Sequence, residues 1–173
     1  MCVWDQNLIP KPKQSISTKI FRKEELVLSK VEFMSERFLG TWKLVSFEYR
    51  SGDQVTYPYG KDAVGYIMYN DDGYMSVAAM TSNRRRFVSM DMNGATTEEK
   101  VTAADTYLSY CGRYKVTEDK VTHLVEVSSY PNWVGENLER FYKFEGDKLT
   151  LSTPLMIVDG KQRIGYLVWK RIK

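Results

Sequence analysis

Three residues in the second half of the chain have side chains suited to moving a proton or holding an anion. His123 is the sole histidine, and an imidazole with an ordinary pKa of about 6.5 exchanges protons near neutral pH. Arg140 and Tyr142 lie two positions apart, so on a strand they face the same side. Together they predict proton transfer by His123 or a tyrosine while Arg140 and Tyr142 stabilise an oxyanion.

Each of these residues also has a structural explanation. The imidazole of His123 could be hydrogen-bonded inside a packed interior, or it could face solvent. An arginine inside a barrel needs an anion. A ligand carboxylate, enolate or phenolate is one source for Arg140, and an internal salt bridge with Glu48 or Glu126 is the other. The sequence leaves these alternatives open.

Aromatic residues form 13% of the chain, with 12 Tyr against 7 Phe. Tyrosine joins an apolar ring to a hydroxyl, so the surplus fits either amphipathic strand faces or a cavity around a partly polar ligand. Tyr110 and Tyr114 share a strand face, and Gly112 between them leaves a gap for a ligand or a neighbouring side chain. Trp133 lies in a predicted loop at the barrel mouth, where its ring could be a lid over a ligand or simply a plug. The predicted ligand-binding residues are Tyr69, Tyr110, Tyr114 and Trp133.

From residue 40 onward, apolar residues alternate with period two and turn signals recur at short intervals. This pattern predicts about eight to ten antiparallel strands in meander order, joined by short turns. The predicted strands are 40–50, 64–69, 74–80, 87–92, 107–116, 121–129, 138–144, 148–153 and 163–172.

Capping-box patterns predict two helices. Thr96-x-x-Glu99 begins a helix that we expect to pack through Val101 and two alanines. Ser29-x-x-Glu32 begins a short helix that leads into the first strand and plugs or flanks one barrel end. Residues 1–33 are predicted to form an N-terminal extension, partly disordered or lid-like, ahead of a barrel domain at 34–173.

The two ends of the strand region match each other. A Gly-x-Trp opens the first strand at Gly40 and Trp42, and a Trp-Lys-Arg closes the last strand with Trp169 and Arg171. Such ends indicate a sheet rolled up until its edges meet. The fold class predicted is therefore all-β, an up-and-down antiparallel β-barrel of about eight to ten strands with one or two short helices.

The chain resembles the lipocalin-like domain proteins of bacteria and fungi, within the wider calycin group. The resemblance spans about residues 38–171 and implies that Trp42 packs across the closed barrel end beneath Arg171. Related small barrels act as carriers or as cyclases and isomerases of specialised metabolism. The matching segments are Gly40-Thr41-Trp42-Lys43-Leu44-Val45-Ser46, Val64-Gly65-Tyr66-Ile67-Met68-Tyr69, Asp72-Gly73-Tyr74-Met75-Ser76-Val77, Tyr110-Cys111-Gly112-Arg113-Tyr114, His123, Pro131-Asn132-Trp133-Val134-Gly135, Arg140 and Gly146-Asp147-x-Leu149-x-Leu151.

Composition and missing motifs exclude several classes of function. The net charge is +3, and the one basic cluster, Arg84 to Arg86, has no interleaved aromatics, so we expect no nucleic acid partner. One histidine and two cysteines argue against a metal site. We expect no cofactor, because no phosphate-binding or dinucleotide motif is present. The chain has no run of 18 apolar residues and no signal-peptide core, so we expect a cytoplasmic protein without a membrane span.

We therefore predict a small-molecule barrel with an apolar, tyrosine-rich cavity that works as a cofactor-independent cyclase or isomerase. A non-catalytic binder or carrier of a hydrophobic ligand is the alternative. A third hypothesis is a filled barrel that acts through its surface or its tail, which a cavity below about 300 Å³ would favour. The oligomeric state stays open, with a homodimer as one alternative.

Overall fold

A computed structural model describes residues 16–172, with side chains from Glu25 onward. The first 15 residues of the predicted extension, Cys2 among them, lie outside the described residues. In chain order the elements are α1 (Ile16–Phe38), β1 (Gly40–Ser51), β2 (Gln54–Thr56), β3 (Val64–Tyr69), β4 (Tyr74–Met80), α2 (Thr97–Asp105), β5 (Tyr107–Val116), β6 (Lys120–Ser128), a 3-10 turn (Pro131–Trp133), β7 (Asn137–Glu145), β8 (Lys148–Ser152), β9 (Met156–Val158) and β10 (Lys161–Arg171).

Eight strands form a closed antiparallel barrel in the order β1-β3-β4-β5-β6-β7-β8-β10, and β10 pairs back with β1. Two short strands lie outside this circle: β2 extends from β1, and β9 pairs with the start of β10. The predicted fold class is confirmed. Within residues 16–172, no helix has the length and apolar character needed to cross a membrane.

Most predicted strands agree with the observed ones to within one or two residues at each end. The strand predicted at 87–92 is wrong. Because β4 pairs directly with β5, no sheet edge is free for that segment, and it forms a loop in which Met90 is 98% exposed. The pattern also missed β2 and β9, since three residues are too few to establish a period of two.

The helix before the barrel is longer than predicted, with 23 residues. Ser29 lies inside it and does not cap it. The Ser29 hydroxyl donates to the Leu26 carbonyl at 3.0 Å, as serine often does within helices. The predicted start of α1 was therefore wrong. Its predicted position was right, because Phe38 at its end is fully buried in the barrel. The division of the chain at residues 33 and 34 stays a prediction.

Helix α2 begins at the predicted capping box. The Thr96 hydroxyl accepts from the Glu99 amide, and the Glu99 carboxylate accepts from the Thr96 amide. The expected packing is wrong, because none of its side chains is buried and Val101 is 54% exposed. The capping box therefore stabilises the first turn of this helix, and the Arg84 guanidinium, which donates to the Ala103 carbonyl at 3.0 Å, ties the helix to the loop after β4.

The plugged end of the barrel is held by the two matching end motifs. Arg171 donates to the carbonyls of Arg37 and Leu39, and the Trp42 indole N–H donates to the Phe38 carbonyl at 2.8 Å. The Arg171 guanidinium also lies 4.1 Å from the centre of the Trp42 ring. Carbonyls at a helix C-terminus otherwise lack partners. The structural role that the resemblance implies for this pair agrees with these contacts.

Replacing Arg171 by lysine should lower the free energy of unfolding by about 1–3 kcal/mol, because an ammonium cannot reproduce the forked pair of charged hydrogen bonds. Urea denaturation followed by tryptophan fluorescence measures this change. The control is Lys170→Ala, which removes an exposed side chain 3.7 Å from Asp147 and should change stability by less than about 0.5 kcal/mol. Equal effects of the two substitutions would contradict this account of the closure.

Candidate functional site

The interior of the barrel has two unlike halves. At the plugged end, Phe38 packs edge-on against Tyr69, Tyr142 and Phe144, with 5.0 Å between ring centres in each case. Towards the opposite end a cavity, here called the lumen, is lined mainly by aliphatic and aromatic side chains. The rim at that end carries the 3-10 turn and β9. A ligand would therefore enter at this rim.

The lumen is small. Its free volume is about 40 Å³, enough for a few water molecules and well below the roughly 300 Å³ at the lower end of ligand pockets. The barrel is nearly filled in this conformation, and a cavity of this size favours the third hypothesis, that of a filled barrel. A ligand larger than a few atoms can enter only if side chains of the wall or rim move.

Larger depressions lie on the outer surface. One of about 470 Å³ lies between α2 and residues 84–88. It is open to solvent, and the carboxylate of Glu99 in its wall already accepts hydrogen bonds from the backbone amides of Val88 and Thr96. These contacts lower the pKa of Glu99. We assign this depression to the packing of the loop and not to the site.

Arg140 reaches the lumen from the middle of β7 and is only 9% exposed. One of its nitrogens donates to the carbonyl of the preceding residue at 2.8 Å. The internal salt bridge that we considered is wrong. Glu48 pairs with Arg50, and Glu126 lies 3.9 Å from Arg113. No carboxylate lines the lumen, so the guanidinium has no anionic partner among the described side chains.

His123 is completely buried between two tyrosines. Its Nε2 lies 2.8 Å from the Tyr69 hydroxyl, and its Nδ1 lies 2.9 Å from the Tyr110 hydroxyl. Burial, and secondarily the nearby positive charge of Arg140, holds the pKa of His123 well below 6.5. The ring is therefore neutral at physiological pH. It does not line the lumen itself and contacts it only through Tyr110.

The two tyrosines of this chain of hydrogen bonds also stay neutral. Burial raises the pKa of Tyr110, although Arg140 opposes the shift. Burial and the neighbouring Tyr110 raise the pKa of Tyr69 well above 10. We call the hydrogen-bonded set Tyr69, His123 and Tyr110 the Tyr–His–Tyr triad. It carries no net charge, so the lumen-facing charge at this place is that of Arg140.

The structure does not bring Tyr142 together with Arg140 in the lumen. The two residues share the inward face of β7, as predicted. However, the Tyr142 hydroxyl donates to the carbonyls of Thr117 and Glu118, at 2.8 and 3.1 Å, at the plugged end. Two residues along a strand span about 7 Å, which is enough to place these side chains in different halves of the barrel.

The other predicted ligand residues divide in the same way. Tyr110 and Trp133 line the lumen, with their ring centres 5.6 Å apart. Tyr114 does not line it, because its hydroxyl donates to the Asn70 carbonyl at 2.9 Å. The gap expected at Gly112 is absent: a Cβ there would lie 2.0 Å from the Leu124 carbonyl oxygen, so the backbone of β6 fills it.

Sequence reasoning missed a buried donor that has no hydrogen-bond partner. Trp169 was assigned to barrel closure alone, yet its ring lines the lumen. Among the described side chains, its indole Nε1 is the buried polar atom that has no hydrogen-bond partner. Buried donors without partners are rare. The signal lay in the alternation of β10, since residues 167, 169 and 171 all face inward, but it does not show which polar atoms remain unpaired.

Comparison with known proteins gives two findings. A family model described as "Lipocalin-like domain" matches residues 39–172. The chain is also similar to a 4'-hydroxy-3'-methoxypropiophenone carrier protein of Aspergillus oryzae, with 38% identity over 108 residues. The match covers 57% of this chain and 96% of that protein.

The burial of neutral His123 predicts a loss of stability in acid. Below about pH 6.5 the unfolded chain binds a proton on this residue and the native state does not, so the free energy of unfolding falls as the pH is lowered, by up to about 1.4 kcal/mol per pH unit. Urea denaturation between about pH 7.5 and 5 measures the slope. In His123→Gln the amide keeps a donor and an acceptor without titrating, so the slope should nearly vanish. Equal slopes in both proteins would contradict the burial of a neutral ring.

Proposed function

This chain belongs to the lipocalin-like domain family, and from that membership and the geometry of the lumen we propose that it is a non-catalytic binder or carrier of a small, largely apolar molecule. The ligand lies in the lumen and places an acceptor oxygen or an anionic group against Arg140. Three features support this proposal: a guanidinium without an anionic partner, an indole N–H without an acceptor, and the apolar wall around them.

The lack of an anionic partner for Arg140 among the described side chains is the observation that carries the proposal. A charged group that leaves water without a counter-charge costs several kcal/mol. A barrel that served only as a scaffold would be more stable with an apolar side chain at this position. A ligand oxygen can recover much of that cost through charge-assisted hydrogen bonds, which are stronger than neutral ones.

The unpaired indole of Trp169 supports the same ligand chemistry. It is a donor and has no acceptor function, so it too is satisfied by an acceptor oxygen. The ligand in the name of the Aspergillus oryzae relative is an aromatic ketone with hydroxyl and methoxy substituents. A flat apolar ring with acceptor oxygens at its ends suits an apolar cavity with donor groups in its wall. We therefore propose an aromatic ketone or phenol of this kind as the ligand class.

Ligand entry requires the lumen to expand, and side chains at the rim can move to allow this. Met156 lines the lumen from β9, a three-residue strand that pairs only with the start of β10. Methionine is unbranched and flexible, so it vacates space at little cost. Trp133 lines the lumen from the 3-10 turn. We propose that these two side chains swing outward on binding, so the free volume of about 40 Å³ is that of the closed barrel.

A carrier is better supported than the cyclase or isomerase that the residue types suggested. A general base must come within hydrogen-bond reach of the proton that it removes. Both ring nitrogens of His123 already contact tyrosine hydroxyls, and the ring is shut off from the lumen. Tyr142 is held at the plugged end by backbone carbonyls. We therefore build no catalytic step into the proposed function.

Replacing Arg140 by methionine should stabilise the protein and abolish tight binding. Removing a buried charge that has no anionic partner should raise the free energy of unfolding by about 1–4 kcal/mol. The loss of a charged hydrogen bond should weaken the binding of 4'-hydroxy-3'-methoxypropiophenone by about tenfold to a hundredfold. Urea denaturation and titration calorimetry measure the two effects.

The matched control is Arg113→Met, which changes an exposed arginine on the outer face of β5. It should leave affinity unchanged. A decrease in the stability of Arg140→Met, with affinity retained, would show instead that the guanidinium serves the fold and not a ligand.

A carrier should also return its ligand unchanged. After a day with the purified protein, denaturing extraction followed by mass spectrometry should recover the added ketone with the same mass and the same chromatographic retention. Accumulation of an isomer or a cyclised product, dependent on native protein and absent with heat-denatured protein, would support catalysis and overturn this part of the proposal.

A further inference from the structure

We propose that the Tyr–His–Tyr triad is held in one tautomer, with the His123 proton on Nδ1, so that the Tyr110 hydroxyl donates into the lumen. The lumen then selects ligands whose buried end is a carbonyl oxygen or an oxyanion. This inference rests on the proposed function and deepens it, because it names the chemistry of the ligand group and assigns Tyr69 and His123 as positioning residues.

The triad has three protons and two internal hydrogen bonds. Each tyrosine hydroxyl brings one proton, and a neutral imidazole brings one more. The two hydrogen bonds of the triad, at 2.8 and 2.9 Å, use two of these three protons. One hydroxyl proton is therefore left over, and the tautomer of His123 decides which tyrosine carries it.

With the proton on Nε2, His123 donates to Tyr69 and accepts from Tyr110, and the spare proton belongs to Tyr69. That hydroxyl is enclosed. Tyr69 is 1% exposed, its ring packs against Phe38 and Tyr114 at 5.0 and 4.9 Å, and His123 is the hydrogen-bond partner of its hydroxyl among the described residues. A spare proton here stays without an acceptor.

With the proton on Nδ1, the order is reversed. Tyr69 donates to Nε2, Nδ1 donates to Tyr110, and the spare proton belongs to Tyr110. This residue lines the lumen, where the free volume admits water or a ligand atom. The Arg140 guanidinium beside this hydroxyl is itself a donor, so a water or ligand atom in the lumen is the acceptor open to the spare proton. An unsatisfied buried donor disfavours a state by roughly fivefold to a hundredfold, so the tautomer with the proton on Nδ1 should dominate by about that factor.

The consequence is a lumen wall with three donors. Arg140, Trp169 and Tyr110 then all offer protons to the lumen, and no carboxylate is present among the residues that line it. The other hydroxyls of the lining are those of Tyr49 and Thr153, and the latter already accepts from a backbone amide. A carbonyl oxygen or an oxyanion can accept from such a wall. An ammonium or amide N–H placed there would meet another donor, which is unfavourable, and the site would reject it.

The tautomer can be measured directly because the chain has one histidine. Protein labelled with ¹⁵N-histidine gives the spectrum of a single imidazole, in which protonated and unprotonated ring nitrogens have well-separated shifts. At about pH 7, where an unperturbed imidazole is mostly neutral, we expect a protonated Nδ1 and an unprotonated Nε2 in the unliganded protein. A proton on Nε2, an averaged pair or an imidazolium would overturn the inference.

Selection by Tyr110 can be tested with two probes of the same shape. Propiophenone carries a carbonyl oxygen, and 2-phenylbut-1-ene carries a methylene group in its place. We expect the wild-type protein to bind the ketone at least about tenfold more tightly. In Tyr110→Phe this ratio should fall by about fivefold or more, while affinity for the alkene stays the same.

The matched control is Tyr114→Phe, which removes a hydroxyl of the same strand that bonds to the Asn70 carbonyl and lies outside the lumen. It should keep the wild-type ratio. Equal affinity of the wild-type protein for both probes would overturn this inference and the proposed oxygen contact with Arg140, and it would leave the proposed binder of an apolar molecule standing. Binding of neither probe would overturn both. An unchanged ratio in Tyr110→Phe would overturn the role of its hydroxyl.

Discussion

The pairing of β1 with β10 is the constraint on which the rest of the structure depends. It runs from Trp42 opposite Arg171 to Arg50 opposite Ile164, with a bulge between Leu44 and Ser46. Once these strands join, the eight-stranded sheet has no free edge in its circle, and every strand must turn one face inward. The interior of so small a barrel is then either packed with side chains or shared with one small ligand.

Because the interior is enclosed, each inward polar group needs a hydrogen-bond partner inside the barrel. The two halves of the barrel differ in whether such partners are present. At the plugged end, aromatic rings pack on Phe38, and the hydroxyls of Tyr114 and Tyr142 donate hydrogen bonds to backbone carbonyls. In the lumen, Arg140 lacks an anion and Trp169 lacks any acceptor. The Tyr–His–Tyr triad lies between these halves and is satisfied internally except for one proton. The guanidinium without an anion and the indole without an acceptor therefore both line the lumen, where we propose that a ligand binds.

The sequence predicted the parts of the fold that local chemistry specifies. The turn at 70–73 could be located because a glycine follows polar turn residues and the flanking residues alternate. The structure agrees, since Gly73 adopts a φ of 84°, a conformation that glycine readily supplies. Residues 87–92 show why alternation alone is insufficient, since a strand also needs a free edge to pair with. Ser29 matched a capping box, but the preceding residues continue the helix, and a capping pattern does not exclude this.

The candidate site was predicted by residue type and not by arrangement. His123, Tyr110 and Arg140 were all named, but the partners of His123 depend on register: it lies opposite Tyr114 on β5, after a bulge at Cys111 and Gly112 that no composition reveals. Similarly, the position of Tyr142 depends on how far along the barrel its hydroxyl reaches. An atom without a hydrogen-bond partner, such as Trp169 Nε1, can be identified only when the positions of all its neighbours are known.

The central claim is that an acceptor oxygen of a small ligand lies inside the barrel against Arg140. Diffraction from protein crystals soaked with 4'-bromopropiophenone, recorded at the bromine absorption edge, tests it most directly. The account predicts an anomalous bromine peak within the lumen, with the ketone oxygen about 3 Å from a guanidinium nitrogen of Arg140 and with Met156 and Trp133 displaced. Bromine peaks confined to the outer surface, or a ketone turned away from Arg140, would contradict it.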